Sequence, residues 1–119
     1  MQTVTDVRGA CAALSGSRET FPFGPTTLVF KVGGRMYALT DLAGDPVTLS
    51  LKVPPEDGEA LRAAHPAIAP GYHLNKRHWI TVTLDGSVPD PLLRDLLTGS
   101  HALVRGGLTR AQRAELDLT

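Results

Sequence analysis

Two runs of β-forming residues, Thr27 to Val32 and Arg35 to Thr40, are separated only by Gly33-Gly34. Branched and aromatic side chains suit a pleated, half-buried surface, and paired glycines supply the positive φ angles that a two-residue primed turn requires. An antiparallel hairpin is therefore the anchor of the fold. Because a lone hairpin is not stable in water, the rest of the chain must add strands and a covering layer. Val47-Thr48-Leu49-Ser50-Leu51-Lys52-Val53 follows a turn at Gly44, Asp45 and Pro46 and alternates strictly between apolar and polar. That pattern predicts a third antiparallel strand with one face buried and the other wet or partner-facing. His78 to Leu84, closed by Asp85-Gly86, predicts a fourth long strand. If Ile80, Val82 and Leu84 point into the core, then Trp79, Thr81 and Thr83 point the other way. Thr48, Ser50 and Lys52 share that outer face by the same rule. For Lys31 and Tyr37 parity does not decide, since both hairpin strands are apolar on both parities.

Helices flank these strands. Residues 3 to 15 carry Val7, Ala10, Cys11 and Leu14 at i, i+3, i+4 and i+7, with Thr3 or Thr5 as N-cap and Asp6 in the first turn. Ser15-Gly16-Ser17 ends this helix. Phe21-Pro22-Phe23-Gly24-Pro25 is then a rigid apolar connector, because each proline forces its predecessor into extended backbone, and Phe21 and Phe23 are expected to plug the gap between helix and sheet. Pro54-Pro55-Glu56-Asp57 opens a second helix that runs to about Ala64 and stops at His65-Pro66. Ala67 to Tyr72, broken by Pro70 and Gly71, is expected to be a short edge piece or loop. Asp90 and Pro91 predict the N-cap and first residue of a third helix with an apolar stripe of Leu92, Leu93, Leu96 and Leu97, bent or restarted at Gly99-Ser100 and ended by Gly106-Gly107. Thr109-Arg110-Ala111-Gln112 is a capping box for a terminal helix through Leu116. The expected class is α+β: an antiparallel sheet with helices packed on one face.

At 119 residues, 42% hydrophobic and 20% charged, the chain is expected to form one globular domain, 1–119. It contains no apolar run near the roughly 20 residues of a spanning helix, and its first residues lack the basic start and apolar core of a signal peptide, so a cytoplasmic location and no membrane partner are expected. Cys11 is the only cysteine, which excludes an internal disulfide and leaves a small buried side chain as its simplest role.

Charge singles out one region. Twelve basic and twelve acidic residues cancel over the chain, yet residues 60–84 contain Arg62, Lys76 and Arg77 and no acid, a formal +3, together with His65, His73 and His78. At its centre, Gly71-Tyr72-His73-Leu74-Asn75-Lys76-Arg77-His78-Trp79 leads a basic turn into the strand bearing the only tryptophan. A local basic patch beside an aromatic suits phosphates or carboxylates, whereas the neutral total argues against nonspecific coating of nucleic acid.

These residues also carry a family resemblance. Phe21-Pro22-Phe23-Gly24, the hairpin segment Phe30 to Leu39, Leu51-Lys52 with Pro54-Pro55-Glu56, and above all Tyr72-His73-Leu74-Asn75-Lys76-Arg77-His78-Trp79 resemble the MmcQ/YjbR family over nearly the full length. The resemblance implies a CyaY-like α+β fold, also described as a double wing, and a DNA-binding role. Two positions depart from the family pattern: Arg35 stands where lysine is usual, and Ile80 where an asparagine commonly follows the tryptophan.

The basic patch and the resemblance together favour a non-catalytic binding module with DNA as the partner that the resemblance implies, and with Lys76, Arg77, Lys52, Lys31 and Arg35 contacting phosphates. Trp79 and Tyr72 form its platform; Asn75 is placed in the same site, though a turn-capping role suits it better than base readout. The alternative is a protein-interaction or self-association module on the same face. His73 and His78 could serve acid–base chemistry, but no carboxylate lies near in sequence and no nucleophile context completes a site, so no catalytic residue is expected. The first helix offers only Asp6, with Glu19 beyond its end, too few oxygen ligands for an iron or hard-cation site; no metal or cofactor is expected.

Overall fold

The computed structural model describes residues 1–118, with side chains described through Leu116. Helix α1 (Val4–Ala12) begins at a reciprocal cap: Asp6 donates its N–H to the Thr3 hydroxyl, and the Asp6 carboxylate accepts the N–H groups of Gln2 and Thr3. Those bonds hold the Asp6 carboxyl below its usual range. Strands β1 (Ser17–Thr20), β2 (Thr27–Val32), β3 (Arg35–Asp41) and β4 (Thr48–Lys52) follow, then α2 (Pro55–Ala64), β5 (Ile68–Pro70), β6 (Trp79–Thr83), α3 (Asp90–Gly106) and α4 (Arg110–Leu118). The strands form a six-stranded sheet in the order β1-β2-β3-β4-β6-β5, antiparallel at every pairing. The fold is α+β, as the alternating strands and flanking helical patterns require.

Strand register decides which residues share a face, because directly paired residues project to the same side. One row runs Phe30–Ala38–Leu51–Ile80 and the next Leu28–Thr40–Leu49–Val82–Ile68. These side chains are buried with Val7 and Cys11 of α1 and Leu93, Leu97 and Val104 of α3, and this is the core. The opposite parity, Val29–Leu39–Ser50–Thr81 and Thr27–Asp41 with Thr48–Thr83, forms a second face.

Three features differ from the sequence expectations. Strand β1 stands where only a helix end and connector were expected: Ser17-Arg18-Glu19-Thr20 has no apolar alternation and is held by backbone pairing to β2, with Glu19 accepting a bidentate pair of bonds from Arg8 at 2.9 Å. On β3, Phe30 pairs with Ala38 but Lys31 pairs with Met36, so Tyr37 is an extra, bulged residue. The bulge sends the adjacent Tyr37 and Ala38 both inward, and it settles what parity left open at Tyr37, which is fully buried under α3. Helix α3 runs unbroken through Gly99-Ser100 for 17 residues and begins one residue earlier than expected, with Pro89 as N-cap and Asp90 already helical.

The helix stays whole because Ser100 has a partner. Its hydroxyl donates to the Tyr37 carbonyl at 2.6 Å and accepts the Lys52 N–H at 2.9 Å. Tyr37 and Lys52 would be the next rung after Ala38 and Leu51, so Oγ stands in for a missing ladder bond where the bulge splays β3 from β4. Beside it lies a buried polar cluster. The Tyr37 hydroxyl meets the Ser17 hydroxyl at 2.6 Å, and His101 packs edge-on to the Tyr37 ring and binds the Ser15 carbonyl through Nε2 at 2.8 Å. Burial pushes the Cys11 thiol up to about 11 and raises Tyr37 as well. Among the described residues no helix is long and apolar enough to cross a membrane.

Candidate functional site

The turn between β5 and β6 builds one wall of the candidate site. Gly71 donates its N–H to the Trp79 carbonyl and continues the ladder; a Cβ at Gly71 would fall 2.6 Å from the Trp79 Cβ, so only glycine fits. The chain then turns out through His73, whose φ of 59° is left-handed. Asn75 closes the turn: its Oδ1 accepts the Arg77 N–H at 3.0 Å, and its carbonyl accepts the N–H groups of His78 and Trp79. This is the capping role favoured from sequence. Lys76 folds back with Nζ 3.3 Å from the Gly71 carbonyl. The result is a hydrogen-bonded projection that carries Tyr72, His73 and Leu74 over the face away from α3.

Tyr72 is tied to that face rather than floating above it. Its N–H donates to Thr81 Oγ1 at 3.0 Å, and Thr81 Oγ1 shares a 2.8 Å hydrogen bond with Ser50 Oγ. Tyr72 stays 70% exposed, its ring centroid 4.0 Å from that of His73. Across the sheet, Phe23 stands 66% exposed on the β1–β2 connection. Between these walls lies a groove of about 670 Å³. Leu39, Thr48, Ser50, Thr81 and Thr83 form its floor, and Asp41, Gly44, Asp45 and Pro46 close one end. Asp41 is oriented by its own turn, with Oδ1 accepting the Ala43 N–H at 2.9 Å.

Several expected site residues lie elsewhere. Trp79 pairs with Lys52 on the outer parity, yet it is only 8% exposed and packs against the Gly71 turn, so it is not an open stacking platform. Arg35 donates to the Gly107 carbonyl at 3.1 Å and caps the end of α3, away from the groove. Arg77 lines a separate shallow depression with Glu56, Glu59 and Arg62 of α2, where acids offset its charge. Lys31 lies beside Arg18, Gln112 and Glu115 in another depression near α4. Register still places Lys31 and Lys52 on the outer parity at the same end of the sheet, so these two and Trp79 remain in one region. Phe21 and Phe23 plug no gap under α1; they are 49% and 66% exposed. The β1–β2 connection carries them outward, since β1 occupies the edge they were expected to seal.

The groove itself was missed because no contiguous motif encodes it. Its members come from the β1–β2 connection, β2, β3, the β3–β4 turn, β4, the β5–β6 turn and β6. The weak signal was the run of hydroxyls at alternate positions, Thr48 and Ser50 on one strand and Thr81 and Thr83 on another. Among the described residues no three His, Cys, Asp or Glu side chains are grouped to hold a metal ion.

The family model described as YjbR matches residues 12–103. The chain belongs to the YjbR family. It is similar to the Escherichia coli O157:H7 protein YbdF, 42% identical over 91 residues that cover 76% of this chain and 74% of that one. The YjbR protein of Escherichia coli K12 is 33% identical over 99 residues, 83% of this chain and 84% of its own. The crystal structure of Deinococcus radiodurans protein DR2400 superimposes with a TM-score of 0.92 and 62% identity, covering 100% of this chain and 91% of that chain. A Pseudomonas syringae protein of known crystal structure follows with a TM-score of 0.75 and 28% identity, covering 86% of this chain and 98% of its own. The span matched to the YjbR family contains every residue of the groove and of the Gly71–Trp79 turn, while α4 falls outside it.

Proposed function

We propose that this YjbR-family protein is a non-catalytic binding module, acting in the cytosol, that receives its partner on the outer face of the sheet with the groove at its centre. The observation that carries this reading is the groove itself: about 670 Å³, hydroxyl-floored, and flanked by the exposed rings of Tyr72 and Phe23. That volume lies within the range of ligand pockets, whose walls are mainly apolar with a few placed polar groups. Binding is favoured over catalysis because the paired floor hydroxyls, Ser50 and Thr81, bond to each other rather than to any of the titratable lining groups Asp41, Asp45, Tyr72 and His73.

DNA binding is the second reading, supported by the acid-free stretch from residue 60 to 84 and by Lys31 and Lys52 at one end of the outer face. Lys76 and Arg77 would extend that region at the rim, and a protein partner would use the same face. Amide-shift mapping of the ¹⁵N-labelled protein separates these readings. Titration with a fragment mixture should move Leu39, Thr48, Thr81 and Thr83, whereas short duplex DNA at low salt should move Lys31, Lys52 and Arg77 and lose its effect with added salt. Shifts confined to the helical side of the sheet would sink both.

A further inference from the structure

The groove's charge is opposite to that of the turn beside it. Its lining contains Asp41 and Asp45 and no lysine or arginine, although Lys52, Lys76 and Arg77 all lie on neighbouring segments. Lys76 bonds the Gly71 carbonyl and does not line the groove, and Arg77 lies in the depression with Glu56 and Glu59 of α2. Both acids are exposed, and the Asp41 Oδ1 is held toward its turn by the Ala43 N–H. The opposing walls offer aromatic faces from Phe23 and from the Tyr72–His73 pair.

Resting on the reading of the groove as a binding site, we propose that it selects a small organic cation bearing a planar ring. The ring lies between Phe23 and the Tyr72–His73 wall, its charged substituent directed to the Asp41–Asp45 end. A positive charge there gains from both carboxylates, while an anion of the same shape meets repulsion with no lysine or arginine in the lining to offset it. The cavity and its aromatic walls define the site; the carboxylates set the sign of its ligand. The floor hydroxyls of Thr48, Ser50 and Thr83 accept or donate and fit either partner, so they do not decide the charge.

Three indole probes of similar shape test the sign: tryptamine, which is cationic, tryptophol, which is neutral, and indole-3-acetate, which is anionic. Each is titrated into the ¹⁵N-labelled full chain at low salt, and dissociation constants are read from the amide shifts of Leu39, Thr48 and Thr81. Tryptamine should bind about tenfold or more tighter than indole-3-acetate, with tryptophol between. An Asp41→Asn/Asp45→Asn variant should bring the three within about twofold, and Asp45→Asn alone should narrow the spread if the double variant is unfolded. Tyr72→Ala should weaken all three alike. If indole-3-acetate binds as tightly as tryptamine at the groove amides, the charge selection is wrong and the groove remains a binding site. If none of the three moves those amides in a folded protein, both the selection and the groove reading are overturned.

Discussion

Replacing Ser100 by alanine removes one oxygen from the middle of α3 and leaves two backbone groups without partners. The Tyr37 carbonyl loses a 2.6 Å donor and the Lys52 N–H a 2.9 Å acceptor, at a site where Ser100 is 1% exposed. Each buried polar group left unsatisfied costs about 1–3 kcal/mol, and alanine returns about 0.5 kcal/mol as the better helix former. Partial closure of β3 on β4 would recover some of the remainder, so the expected loss is about 1–4 kcal/mol. With an unfolding entropy of about 2.1 cal/mol/K per residue over 119 residues, that loss lowers Tm by about 4–16 °C. Urea unfolding followed by far-UV circular dichroism measures it, with the slope unchanged if only the native state is affected. The adjacent Gly99→Ala variant is the control: a Cβ there meets nothing within 4 Å, and the change should stabilise by about 0.5–1 kcal/mol. A loss below about 0.5 kcal/mol in Ser100→Ala would refute the argument, because it would mean that β3 and β4 close the rung without the hydroxyl.

Gly71→Ala drives a Cβ into Trp79 and should cost about 1–3 kcal/mol while shifting the amides of Tyr72 and His73; unchanged stability and shifts would place the turn elsewhere. Trp79 emission should be blue-shifted and weakly quenched by acrylamide in the native protein, both reversing in urea, and a native spectrum like that of free tryptophan would contradict its burial. On the alkaline side, Cys11 rises from an ordinary 9.0 to about 11 and Tyr37 also rises, so the folded state prefers both neutral. Their contribution is complete below pH 9 and is lost as the pH climbs toward 11; the urea midpoint should fall across that window, less so in Cys11→Ala. On the acid side, hydrogen bonds hold Asp85 and Asp90 below the ordinary 3.8, Asp85 through Ser87 and Asp90 through the Met1 ammonium and Arg94. Stability from these groups is present above pH 3.8 and is lost as the pH falls through their lowered values, and a midpoint flat from pH 5 to pH 2 would count against them.

The local elements were largely legible. Gly33-Gly34 between two β-rich runs marks the β2–β3 hairpin, strict alternation marks β4, and Thr3 with Asp6 marks the start of α1. Each of these signals is carried by neighbours in sequence. Thr109 and Gln112 likewise exchange the expected reciprocal cap bonds, at 2.9 and 3.2 Å, before α4. Strand β1 was not legible, because an edge strand held by backbone bonds and an Arg8–Glu19 pair needs no apolar pattern. The bulge at Tyr37 was not legible either, since one extra residue in a ladder leaves no mark on composition. Its consequence reaches to α3, where Ser100 reads as a helix weak point in isolation and becomes the bridge between two strands in the fold.

The same division holds for the site. Composition and order alone determine a chain with balanced charge, a hairpin-centred antiparallel sheet, an acid-free stretch around Lys76 and Arg77, and a turn closed by Asn75. Only the tertiary structure decides which way those charges face and what surrounds the aromatics. Lys76 bonds the Gly71 carbonyl, Arg77 lies by the acids of α2, and Arg35 caps α3, so basic residues expected to act together are divided among three surroundings. Phe23 and Tyr72, far apart in the chain, become opposite walls of one groove because the strand order β2-β3-β4-β6 sets the width between the loops that carry them. Side-chain alternation fixes the face on which a residue starts, but exposure depends on what the rest of the chain lays over it.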